Sequence, residues 1–228
     1  MAPRFSPSSL DHVALWVADR RPMAGFLCDH LGMHVIEETD AFTLVGVDAK
    51  LGKLTLFDAD GPRERGALER IVLRVRDLEA ALARLPHEVV RGESGVAELE
   101  GPGGLPLGLV EAPGVDYDLD HVVLALADPE AARARLALLG FERRDGVVAV
   151  ADRHVRIEPG PAGDGERPLL NHLALLVDDA HAVKDQAEAS GLEIDDVKDA
   201  KNTFAVFLRG PEGVRIEYVE HKPGFALV

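Results

Sequence analysis

The sequence predicts an α+β protein in which one strand–helix–strand–strand–strand unit is used four times. Three observations carry this prediction. Four segments open alike: LDHVALWVAD (10–19), LERIVLRVRD (68–77), LDHVVLALAD (119–128) and NHLALLVDD (171–179), each an apolar run of strand length. Each has a marked residue near its start (His12, Arg70, His121, His172) and an Asp seven residues later (Asp19, Asp77, Asp128, Asp179). Short apolar runs separated by Gly, Asp or Pro follow each helical stretch.

The elements follow in order. The four Asp residues suit helix N-caps, where a carboxylate accepts from free backbone N–H groups, and Pro129 suits a first helical turn. Helices are expected over 20–31, 78–85, 129–139 and 180–190. Gly32, Gly140 and Gly191 fall where a left-handed C-terminal cap would sit, and Pro86 ends the second helix. The remaining strands are expected at 34–37, 42–47 and 53–57, then 88–91, 96–100 and 105–110. The third unit gives 141–144, 147–150 and 154–158, and the fourth 192–197, 204–208 and 214–219.

One such unit is too small to bury a core alone, whereas two together make a domain of comfortable size. Sequential pairing gives two domains, 1–113 and 114–228, joined through the Pro- and Gly-bearing stretch EAPGVDYD (111–118). A second irregular stretch, 159–168, joins the third and fourth units.

Composition narrows the function. With 29% charged and 46% hydrophobic residues the chain is ordinary for a globular protein, but 5% aromatics leave the core to Val, Leu, Ile and Ala. A net charge of -15 excludes nucleic acid and anionic membranes as partners. One cysteine, Cys28, forms no disulfide framework, and the N-terminus has no apolar leader. Both fit a cytoplasmic protein. The expected partner is a small-molecule substrate, with a homodimer left open.

The second half concentrates metal-binding chemistry. His121, His172, Glu158 and Glu217 fall on four predicted strands, two imidazoles and two carboxylates of the kind that bind a divalent ion. Aligning VRIE (155–158) with VRIE (214–217) puts Glu158 and Glu217 in equivalent places. The same alignment in the first half reads His12, Phe57, Arg70 and Gly108, with no carboxylate.

The LDHVxL openings and the closing GPEGVRIEY resemble the vicinal oxygen chelate superfamily, which includes glyoxalase I, type I extradiol dioxygenases, methylmalonyl-CoA epimerase and bleomycin-resistance proteins. The resemblance implies paired βαβββ units whose mixed sheets curl into open funnels, two tandem domains in all. It implies a metal site of His121, His172, Glu217 and Glu158 in the second domain, with the first degenerate. If the first unit pairs with the fourth instead, the site becomes His12, His172 and Glu217.

Oxygen and nitrogen donors without a thiolate suit Fe, Mn, Co, Ni or Zn. With four ligands, Glu158 or Glu217 could leave the ion and serve as base, giving glyoxalase- or epimerase-like proton transfer on vicinal oxygens. The alternative is extradiol cleavage of a catecholic compound. There His154 is the active-site imidazole, although Phe207 stands where such enzymes carry Tyr and 198–204 holds no His. A third reading is a non-catalytic, bleomycin-resistance-like binder, which lacks the four metal-type residues.

Overall fold

The computed structural model describes residues 5–49, 52–86, 89–92, 95–114, 117–161 and 165–225. Residue 88 of the expected strand, 115–116 of the linker and 162–164 of the second irregular stretch lie outside this set. The first unit comprises β1 (Ser9–Val17), α1 (Arg20–Leu31), β2 (His34–Glu38), β3 (Phe42–Gly46) and β4 (Lys53–Asp58). The second comprises β5 (Leu68–Val75), α2 (Leu78–Leu82), β6 (Val90–Arg91), β7 (Ala97–Glu100) and β8 (Pro106–Glu111). The third has β9 (Asp118–Leu126), α3 (Pro129–Leu138), β10 (Glu142–Arg144), β11 (Val147–Val150) and β12 (Arg153–Pro159). The fourth has β13 (Leu170–Leu176), α4 (Ala180–Ala189), β14 (Ile194–Asp199), β15 (Thr203–Arg209) and β16 (Arg215–His221).

All four expected caps form. Asp19, Asp77, Asp128 and Asp179 accept from the backbone N–H of Arg21, Ala80, Ala131 and Ala182 at 2.8–3.0 Å. Gly32 and Gly191 take left-handed φ values of 65° and 66° just past their helices, where a Cβ would be strained.

The units do not pair in sequence. One eight-stranded sheet runs β14-β15-β16-β13-β1-β4-β3-β2 and joins the fourth unit to the first. The other runs β10-β11-β12-β9-β5-β8-β7-β6 and joins the third to the second. Each sheet therefore draws on both halves of the chain, and the expected division at 113/114 does not separate them. Within a unit the opening strand lies parallel to the last strand; between units the two opening strands are antiparallel. Mixed eight-stranded sheets flanked by four helices match the expected fold class.

Alternation divides each sheet. Val13, Leu15, Leu54, Leu56, Leu173, Leu175, Ile216 and Tyr218 of the first sheet share one hydrophobic cluster with Ile71, Leu73, Leu107, Leu109, Val122, Leu124, Val155 and Ile157 of the second. Each such fully buried Leu or Ile contributes roughly 1.5–3 kcal/mol. Tyr218, expected to face away from the site, packs on Phe5 and donates to the Leu139 carbonyl at 2.7 Å. Gly52 has φ 52°, and a Cβ there would stand 2.7 Å from the Leu119 backbone nitrogen. The first unit thus crosses β9 where only glycine fits. The opposite face of each sheet is free to carry polar chemistry.

Candidate metal centre

Every opening strand carries the same defect. In the first sheet Leu10 pairs with Leu175 and His12 with Ala174, leaving Asp11 as an extra residue; Ala14 pairs with His172 and Leu15 with Leu170, leaving Asn171. In the second sheet Glu69 and Asp120 are the extra residues. Such bulges interrupt the strict alternation and re-aim a side chain. They set Asp11 beside His12 and Asn171 beside His172.

The consequence is two oriented imidazoles. Asp11 Oδ2 lies 2.8 Å from His12 Nδ1, and Asn171 Oδ1 lies 2.9 Å from His172 Nδ1. Each ring therefore turns its Nε2 inward, and the two Nε2 atoms approach to 3.2 Å with the rings at 72°. Glu217 on β16 points between them, its Oε2 2.7 Å from His172 Nε2 and 3.2 Å from His12 Nε2. All three side chains are buried or nearly so.

Charge on these groups follows from the neighbours. Burial works against a charged His12, but hydrogen bonds with Asp11 and Glu217 win and raise its pKa to about 9. Burial would also raise the Glu217 carboxyl, yet His172 and His12 hold it well below its ordinary value. His172 is pushed down, first by burial. Asp11, although buried, stays anionic: burial opposes this, while His12 and Lys53 outweigh it. Lys53 Nζ donates to Asp11 at 2.9 Å and to the Ala49 carbonyl at 2.6 Å, so the buried charges are paired.

The donor set fits a first-row divalent ion. Glu217 Oε2 is fully buried and makes no well-directed hydrogen bond, despite two ring nitrogens nearby. Three donor atoms 2.7–3.2 Å apart match neighbouring corners of one coordination sphere. Donors about 2.1 Å from an ion and at right angles stand about 3 Å apart. Asp11 and Asn171 occupy the outer positions that fix tautomer and ring direction.

The other expected site residues, the ligands His121 and Glu158 and the catalytic His154, lie elsewhere. His121, His154 and Glu158 belong to β9 and β12 of the second sheet, so they do not join His172 and Glu217. His12 takes the place expected for His121. Glu158 also departs from the expected equivalence. Ala174 faces Glu217, while its counterpart Val123 faces Arg156; Glu158 lies two residues further on, beside Ala125, and is 46% exposed. In the first unit the counterpart of Glu217 is Thr55, opposite Ala14, and not Phe57. A slip of two residues keeps every side chain on its face, so alternation could not reveal it. Asp11, Asn171 and Lys53 were not foreseen. A polar residue directly before the marked His, breaking the alternation, was the available signal for the first two.

The centre lies in a cavity of about 690 Å³. Trp16, Phe42, Phe57, Phe207 and Phe225 line it, five of the eleven aromatic residues in the chain. Phe207 is the cross-strand neighbour of Glu217 and meets the His172 ring edge-on at 5.1 Å. Arg215 lies over Phe207, binds Asp195 at 2.6 Å and donates to Asn171 at 3.3 Å. His221 also lines the cavity.

Residues 9–98 match the sequence model of the Glyoxalase/Bleomycin resistance protein/Dioxygenase superfamily. No curated protein matches the chain. Among solved structures, a candidate dioxygenase from Bacillus subtilis subsp. subtilis str. 168 is 18% identical, with 97% of this chain and 87% of that one covered and a TM-score of 0.76. Glyoxalase I from Zea mays is 16% identical, with 93% and 92% covered and a TM-score of 0.72. The cppA protein from Streptococcus pneumoniae TIGR4 is 17% identical, with 94% and 98% covered and a TM-score of 0.65. At these identities the likeness to solved structures is one of fold. Residues 9–98 thus carry the sequence pattern of that superfamily, and the chain as a whole shares the fold of these solved structures.

Proposed function

We propose that this chain is a metal-dependent enzyme that takes a small aromatic molecule through two adjacent oxygens and opens its ring with dioxygen. The donor set carries this reading: His12, His172 and Glu217 converge, and Thr55 stands where a second carboxylate would complete a four-ligand site. Two imidazoles and one carboxylate with open positions suit Fe(II) oxygen chemistry. Such an ion would supply Lewis acidity and free positions for the substrate oxygens and dioxygen. With Thr55 in the second carboxylate's place, glyoxalase-like proton transfer would have to rest on Glu217 alone, the carboxylate that would also offset the ion's charge.

The chain's own residues do the remaining work. Asp11 and Asn171 keep the Nε2 atoms of the two histidines turned inward. Glu217, held anionic, offsets the positive charge of an ion. Trp16, Phe42, Phe57 and Phe207 form walls that orient a flat ring and keep water away. Among the described lining residues, His221 is the imidazole outside the donor set, placed to take up a proton from a substrate hydroxyl.

Oxygen-electrode assays with Fe(II)-loaded protein and a panel of catechols test this reading. Uptake of one dioxygen per substrate, with a ring-opened product, is expected. Absence of uptake across catechols that bind would sink it. One observation favours a second reading, metal-assisted proton transfer: Phe207 places no hydroxyl beside Glu217. Proton exchange into substrate in D2O without oxygen uptake would establish that alternative.

A further inference from the structure

We propose that the second sheet carries a separate, weaker site for a first-row divalent cation, formed by Asp120, His121 and His154. It does not depend on the activity proposed above. His121 on β9 and His154 on β12 are directly paired residues of neighbouring strands, close enough for two imidazoles to share one ion. Their rings stack with centroids 4.5 Å apart at 13°. Asp120, the bulge residue, has a carboxylate oxygen 2.6 Å from His121 Nδ1, so these two donors lie side by side where an ion would replace the proton they share. One donor atom from each of the three residues lies within 4.8 Å of the others.

This is not the first centre repeated. The last-strand places that correspond to Glu217 are Gly108 and Arg156 here, and neither brings a donor. The ligands come from a bulge, a mark and its cross-strand neighbour. Nearby cations make the site weaker. Arg74 binds the other oxygen of Asp120 at 3.1 Å, and also holds Asp152. Arg156 lies on the same face, near Glu158 at 3.9 Å. The stacked rings must also tilt before both nitrogens face one ion. Burial, then the neighbouring His121, lowers the pKa of His154 and keeps it neutral, the form that binds metal. Two imidazoles and a carboxylate select Zn, Ni or Cu over Mg or Ca.

Equilibrium dialysis against Zn(II), with elemental analysis, tests the site in the full chain. Wild type is expected to bind two equivalents, the second on the order of 100-fold more weakly because its charge and geometry are less favourable. The Glu217→Ala, His172→Ala double variant should keep only the weak equivalent. His154→Gln should keep only the tight one. Saturation of wild type at one equivalent up to millimolar free zinc, or a His154→Gln variant that still binds two, overturns the proposal. If His154→Gln is misfolded by circular dichroism, Cu(II) added to wild type with the tight site filled decides instead. Nitrogen hyperfine coupling from two imidazoles supports the site, and oxygen-only coordination overturns it.

Discussion

The bulged faces of the two sheets share one frame and offer different chemistry. In the first, His12 and His172 come from the two opening strands that meet at the sheet centre, and their rings stand at 72° with Nε2 atoms 3.2 Å apart. In the second, the opening strands offer Arg70 and His121, and the ring beside His121 is that of His154, stacked nearly parallel. Glu217 completes the first set; Gly108 and Arg156 fill the corresponding places in the second. The lesson is that identical bulges only aim the first ligand. A preorganised site also needs the partner strand to supply a second imidazole and the last strand to supply a carboxylate.

The largest expected effect breaks the first face. Glu217→Ala should abolish tight metal binding and activity, because it leaves two imidazoles without the charge that offsets an ion. Elemental analysis at micromolar free metal would show the loss, and His121→Ala under the same conditions should retain the tight equivalent. Next comes Asp11→Asn. It leaves Lys53 buried without its carboxylate, costing about 3–5 kcal/mol, and should weaken metal affinity by about 10–100-fold. Denaturant unfolding and a metal titration check the two parts separately.

Thr55→Glu sharpens the comparison by supplying the missing fourth donor. Affinity should rise about tenfold, in line with the added charge and ligand, while oxygen-dependent turnover falls as an open position closes. A gain in turnover would contradict the three-ligand reading. The smallest effect is expected for Glu158→Gln on the second face. This half-exposed carboxylate should leave metal content unchanged and shift stability by less than about 0.5 kcal/mol.

His12 and His154 should respond oppositely to pH in the metal-free protein. The pKa of His12 is raised from 6.5 to about 9, so its contribution is present below 6.5 and is lost as pH rises through about 9. That of His154 is lowered, so the folded state prefers the neutral ring, and its contribution is lost as pH falls below 6.5. Thermal melts of wild type, His12→Gln and His154→Gln across this range would separate the two. Loading the tight site should flatten the alkaline limb, since Nε2 of His12 is then no longer free to take a proton.

Much of this was legible in the chain. The four openings, the Asp caps and the glycine stops are local signals, because capping and helix ends depend on residues a few positions apart. The opening places were equally readable: His12, His121 and His172 all head their strands as the repeats indicate. Glu217 was legible from the closing GPEGVRIEY. Glu158 was misplaced because VRIE repeats at a register shifted by two, which alternation tolerates. His154 was assigned to the wrong site for a different reason: its strand belongs to the other sheet.

By itself, then, the sequence determined the unit, its four copies, and which strand positions face away from the core. Those properties arise from short-range periodicity and backbone sterics. Only the tertiary structure decided that the first unit joins the fourth and the second joins the third. All four opening strands present similar apolar alternation and a similar free edge, so no local feature distinguishes one partner from another. The pairing that buries both sheets in one shared hydrophobic cluster settles this, and with it decides that His12, and not His121, stands beside His172 and Glu217.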